Sequence, residues 1–255
     1  MPHRHHHWPL IVLVVPLLNC ALFHKPTDFE KGLKRYQAGD YERAARHFDT
    51  YAKRYPAFDT GLYYLCDCYA RLGRAEERFQ VLAQLAGLQV EDINVYLNLI
   101  EHERKISRWS GVVGLLCGLP PGVTAEYNRR FILTRRGYAE LACGAAGSHD
   151  AGNPLVNALT RGYLNSFPDG FAYPDDTVTL GNLIILLDRL LPPDPPRSYP
   201  ALQTLDAHSY LYFPYLRLVG LGIIDYDPVL DPNRPATPVE CGRALVRMKN
   251  AGYLR

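Results

Sequence analysis

Few residues in this 255-residue chain are spaced for chemistry. His149 beside Asp150, and His208 two residues after Asp206, are imidazole–carboxylate neighbours of the kind that orients a general base for a serine. Such neighbours arise by chance, and no Gly-x-Ser-x-Gly, His-Glu-x-x-His, phosphate loop or dinucleotide fingerprint accompanies them. The stretch DYDPVLDPN supplies Asp225, Asp227 and Asp231, yet it lacks the glycine and distal glutamate of a calcium loop. Its aspartates read as turn formers. Cys66 and Cys68 would project about 200° apart on a helix, the wrong geometry for chelation, and no Cys-x-x-Cys pair exists. The expectation is therefore a chain with no catalytic residue, no metal and no cofactor.

Composition allows an ordinary folded protein with ample core: 47% of residues are hydrophobic and the net charge is +2. That charge is too small to argue for nucleic acid as a partner. Eighteen tyrosines cluster with leucines at helical spacing and read as aromatic helix packing. The start of the chain reads as an export signal over residues 1–19. Arg4 precedes an uncharged apolar run, Trp8–Leu18, too short to span a bilayer. Leu17-Leu18-Asn19-Cys20 resembles a bacterial lipoprotein box with Asn19 in place of the usual small residue, which implies acylation of Cys20 and a membrane anchor. His3, His5, His6 and His7 resemble a metal site but lie in the part that would be removed. Without Arg4 the mature charge is about +1.

After the leader the sequence repeats. Gly39 in QAGDYERAARHF, Gly73 in ARLGRAEERFQVL and Ser107 in RKISRWSGVVGLL recur every 34 residues. Gly32, Ala44, Phe48 and Pro56 in the first unit, Leu62, Leu65, Tyr69 and Leu82 in the second, and Tyr96, Leu99, Val112 and Leu116 in the third take recurring packing positions. Residues 27–120 therefore resemble three tetratricopeptide repeats, a solenoid of helical hairpins in which each buries its apolar face on the next. The resemblance implies a groove lined by Tyr36, Tyr63, Asp67, Asn94, Asn98, Glu101 and Arg104, holding an envelope protein or another extended peptide. Asn94 and Asn98 share a helix face and suit the clamping of a backbone.

The C-terminal half duplicates itself. Leu205–Met248 reads as helix, loop, helix, its second helix opened by the capping box Thr237-Pro238-Val239-Glu240. Residues 150–191 repeat it, with Pro154 and Gly162 displaced by 60 from Pro214 and Gly222, and Thr179 by 58 from Thr237. Between them LPPDPPRSYP is an extended, stiff spacer. An aromatic-Pro-Tyr-Leu helix, Gly-Ile-Ile, a Pro-Asn turn and a Thr-x-x-Glu helix resemble an S-layer homology repeat. Residues 121–147 read as one long helix, either a cap on the solenoid or a partial unit of the same kind, since Leu133-Thr134-Arg135 matches the hydrophobic-Thr-Arg signature. The resemblance implies docking to peptidoglycan or another cell-wall polymer through Thr134, Arg135, Thr179, Thr237 and Glu240. Leu180 and Pro238 stand where the family places its polymer-binding arginine, leaving Arg161, Arg189, Arg217 and Arg234 as substitutes. The expected fold is all-α, a solenoid followed by helix-loop-helix repeats. The expected protein is a non-enzymatic scaffold of the cell envelope, exported and lipid-anchored, the alternatives being a soluble periplasmic peptide-binding adaptor with degenerate C-terminal repeats or an accessory subunit of a cell-wall enzyme.

Overall fold

The computed structural model describes residues 27–147, 152–193, 206 and 209–254. The export segment, Cys20, the His149–Asp150 pair, His208 and most of the proline spacer lie outside the described residues. Within these the chain is all-α: twelve helices and no strand. It divides into two compact units, Met1–Val81 and Leu82–Arg255.

The first unit holds α1 (Asp28–Gln37), α2 (Tyr41–Arg54) and α3 (Asp59–Arg71), while α4 (Ala75–Gly87) runs across the division. α1 starts on a complete capping box, with Thr27 and Glu30 each accepting the other's backbone N–H. α2 packs against both neighbours. Gly32 makes this possible on α1, since a Cβ there would sit 2.8 Å from the Phe48 ring of α2. Phe48 is fully buried and stacks on Tyr64 at 5.1 Å, while Phe29 closes on Phe48, Tyr51 and Tyr64. The tyrosines thus pack helix on helix.

The 34-residue period is written in the backbone. α1, α3 and α5 (Ile93–Lys105) end in the same turn. The N–H groups of Asp40, Arg74 and Arg108 donate five residues back, to the carbonyls of Arg35, Tyr69 and Glu103, at 2.8–3.0 Å. This closure demands a left-handed residue at its corner. Gly39, Gly73 and Ser107 stand there with φ of 76°, 69° and 55°. Only the third carries a side chain.

The second unit continues with α5 and α6 (Trp109–Cys117), then three helix–loop–helix units. These are α7 (Pro121–Arg130) with α8 (Arg135–Ala146), α9 (Pro154–Thr160) with α10 (Leu180–Leu190), and α11 (Tyr212–Gly220) with α12 (Pro238–Asn250). Residues 121–147 are therefore two helices rather than the single one expected. The chain leaves the helix at Phe131, where φ −126° and ψ 129° are extended, and starts again on Thr134. The duplication at an offset of 60 holds at the turn, where Gly162 and Gly222 are both left-handed with the next N–H on Ala158 and Leu218, but Pro154 opens α9 while Pro214 is the third residue of α11. α6 packs on α8 and α12. Gly144 of α8 permits the approach, because a Cβ there would lie 2.5 Å from the Trp109 backbone. Glu103, buried on α5, is held by both arms of the Arg108 guanidinium.

One consequence concerns Ser107. A non-glycine residue in the left-handed region costs about 1–2 kcal/mol, and nothing would crowd a side chain at Gly73, so backbone strain alone acts at these corners. Ser107→Gly should stabilise the protein by up to about 1 kcal/mol, and Gly73→Ala should destabilise it by about 1 kcal/mol or more. Urea unfolding checks both; changes of the same sign contradict the shared turn.

Candidate functional site

The three helix–loop–helix units meet in a closed ring of backbone hydrogen bonds. Leu133 N–H donates to Ala236 O at 2.8 Å, Ala236 N–H to Val178 O at 2.9 Å, and Val178 N–H to Leu133 O at 2.8 Å. Each residue directly precedes a helix-capping threonine, and all three are buried. The threonines act identically: Thr134, Thr179 and Thr237 accept the N–H of Gly137, Asn182 and Glu240 at 3.1–3.2 Å.

Beyond the ring the loops of the second and third units each receive the start of the preceding unit's second helix. The first two N–H groups of α8, from Arg135 and Arg136, donate to Asp176 O and Pro174 O. Those of α10, from Leu180 and Gly181, donate to Arg234 O and Pro232 O. In α12 the first helical residue is Pro238, which has no N–H to satisfy. The residue at this position also decides whether each junction is filled.

At the first junction it is Arg135. Its Nε donates to Ala172 O at 2.7 Å, its Nη2 donates to Asn165 O, and the guanidinium lies 4.5 Å over the Phe167 ring. The arginine braces the loop of the second unit and leaves no fork for a polymer. At the second junction the residue is Leu180, and a cavity of about 280 Å³ opens between α10, α11, α12 and the loop around Asp225–Leu230. At the third, Pro238 faces Phe131–Leu133 across a smaller cavity of about 170 Å³. Arg104 of α5 reaches this one and pairs with Glu140 at 3.3 Å. Burial raises the Glu140 pKa, and Arg104 and Arg136 oppose the rise.

The other expected wall-binding groups are held internally as well. Glu240 completes a capping box with Thr237 and pairs with both Nη atoms of Arg234 at 2.6 and 3.2 Å. Burial pushes its carboxyl up, but Arg234 and the Thr237 backbone outweigh it and hold the pKa below 4.5. Of the substitute arginines, Arg217 binds Asp188 at 3.2 Å and the Pro192 carbonyl, Arg234 binds Glu240, and Arg161 and Arg189 are exposed. Two of the three loop aspartates form turns, Asp227 accepting from Val229 N–H and Asp231 from Asn233 N–H, while Asp225 pairs with Arg247.

The groove candidates fall into two sets. In the first unit Tyr36 donates its hydroxyl to Asp67, which also accepts from Arg71 Nε at 2.7 Å. Arg71 in turn covers the Tyr41 ring at 5.0 Å. The Asp67 hydrogen bond raises the Tyr36 pKa. Tyr63 is half-buried nearby on α3. In the second unit Asn94, Asn98, Glu101 and Arg104 lie along α5. There the Asn94 amide donates to Asp92, Asn98 donates to the Asn94 carbonyl at 2.7 Å, and Glu101 pairs with Lys105 at 2.8 Å. Burial raises the Cys66 thiol and takes Cys68 to about 11.

Arg243 and Arg247, on the open cavity, were not singled out by sequence reasoning. The signal was present, since Glu240, Arg243, Ala244 and Arg247 share one face of α12 at helical spacing. No family model, curated protein or solved structure matches the chain.

The brace at the first junction needs a planar fork. Arg135→Lys keeps the charge but cannot span two carbonyls. Hydrogen exchange over residues 165–172 should quicken about ten-fold, a loss of about 1.4 kcal/mol of local stability. Unchanged exchange there contradicts the role.

Proposed function

We propose that the protein is a non-enzymatic scaffold of a bacterial cell envelope. In this reading residues 1–19 are an export signal and Cys20 carries a lipid anchor. The hairpins of residues 27–120 are tetratricopeptide repeats that hold an extended segment of an envelope protein. The three helix–loop–helix units form an S-layer-homology-like module that docks the scaffold to peptidoglycan or another wall polymer. The observation that carries the reading is the ring of three equivalent N-capped helices beside turns recurring every 34 residues. Both are modular architectures whose chemistry is recognition.

A second reading has its own support. Thr134, Arg135, Thr179, Thr237 and Glu240 are all engaged within the module. This favours a periplasmic peptide-binding adaptor whose C-terminal units serve only to pack. Sedimentation with purified peptidoglycan sacculi separates the two. A scaffold co-sediments at low salt. Protein that stays wholly in the supernatant contradicts wall docking and leaves the adaptor.

A further inference from the structure

The open cavity at the second junction has a chemistry of its own. Its inner wall is aliphatic and buried, formed by Leu183, Ile184, Ile223 and Ala244, with Leu180 and Leu230 nearer the mouth. Two tyrosines line the cavity. The Tyr215 hydroxyl is spent, accepting Asp227 N–H at 2.7 Å and donating to Asp227 O at 3.3 Å, while Tyr226 is exposed at the rim. The rim is charged but paired. Arg234 holds Glu240, and Arg247 holds both oxygens of Asp225 at 3.0 and 3.3 Å. Asp227 caps its own turn. Arg243 is different. It lines the cavity, is exposed, and makes no ion pair among the described residues.

We propose that this cavity binds an amphiphilic monocarboxylate, its carboxylate on Arg243 and its apolar body against Leu183, Ile184 and Leu230. The volume of about 280 Å³ sits at the small end of ligand pockets and suits a body of about ten heavy atoms. A polyhydroxylated sugar is a poor match, because it needs several unspent donors and acceptors and the lining offers chiefly the Arg243 guanidinium and the Tyr226 hydroxyl beside an aliphatic wall. The carboxylate gains a charge-assisted, two-pronged contact, and the apolar body removes itself and the aliphatic wall from water. The inference does not rest on wall docking. The chemistry has two natural sources: a free fatty acid, or the C-terminal residue of a protein ending in an aliphatic side chain.

Calorimetric titration of the purified protein with octanoate, N-acetyl-leucine, octylamine and glucuronate tests the assignment. At least one of the first two should bind, with a Kd of about 0.1–1 mM. Tighter octanoate assigns the site to a fatty acid, and tighter N-acetyl-leucine to a protein terminus. Octylamine and glucuronate should bind at least ten-fold more weakly. Arg243→Gln should weaken the carboxylates about ten-fold, while Arg189→Gln on the exposed face of α10 should not. Arg243 is exposed and makes no ion pair among the described residues, so its replacement should leave the fold intact, and an unchanged melting temperature verifies this. Failure of both carboxylates to bind overturns the proposal, as do equal affinity for octylamine, preference for glucuronate, or indifference to Arg243→Gln.

Discussion

Three backbone hydrogen bonds, among Leu133, Val178 and Ala236, hold the C-terminal architecture together. All three residues are buried, so an unmade bond leaves a donor and an acceptor without water, a cost of about 1–3 kcal/mol per group. The ring closes only if each unit delivers an extended residue immediately before a helix. The capping threonine meets that demand: its backbone is extended while its hydroxyl already satisfies the helix start. The break at Phe131–Thr134 follows from the same constraint. A continuous helix there would tie up the Leu133 N–H and carbonyl and leave the ring with two members.

Near-symmetry makes the differences informative. The residue after each threonine is Arg135, Leu180 or Pro238, and it meets a junction that is braced, open or narrowed, in that order. One substitution in an otherwise equivalent frame separates a structural arginine from a ligand cavity. Among the described residues Arg243 is then the one cation of that rim without an ion pair, and this sets the sign of what the cavity admits. Paired charges on the rim contribute little to affinity, because each is already compensated before a ligand arrives.

Much of the fold was legible in the sequence because it is local. Gly39, Gly73 and Ser107 mark turns closed within six residues, and Gly162 and Gly222 do the same in the duplicated units. A turn of that kind is specified by its own residues. The ring was not legible. Its partners lie 45 to 103 residues apart, and nothing about Leu133, Val178 or Ala236 marks them except the threonine that follows. Arg135 matched a ligand-binding signature, yet Asn165, Phe167 and Ala172 take up its guanidinium from a loop whose path no spacing rule gives. Arg243 was overlooked for the opposite reason. It belongs to no motif, and it becomes conspicuous only when its neighbours are seen to be paired.

Closed by that ring, the three units should behave as one cooperative body. Amide hydrogen exchange at Leu133, Val178 and Ala236, followed by NMR, tests it most directly. The three amides should share one high protection factor, set by unfolding of the whole body. A Leu133 amide exchanging orders of magnitude faster than those of Val178 and Ala236 would show that the first unit stands outside the ring, and would contradict it.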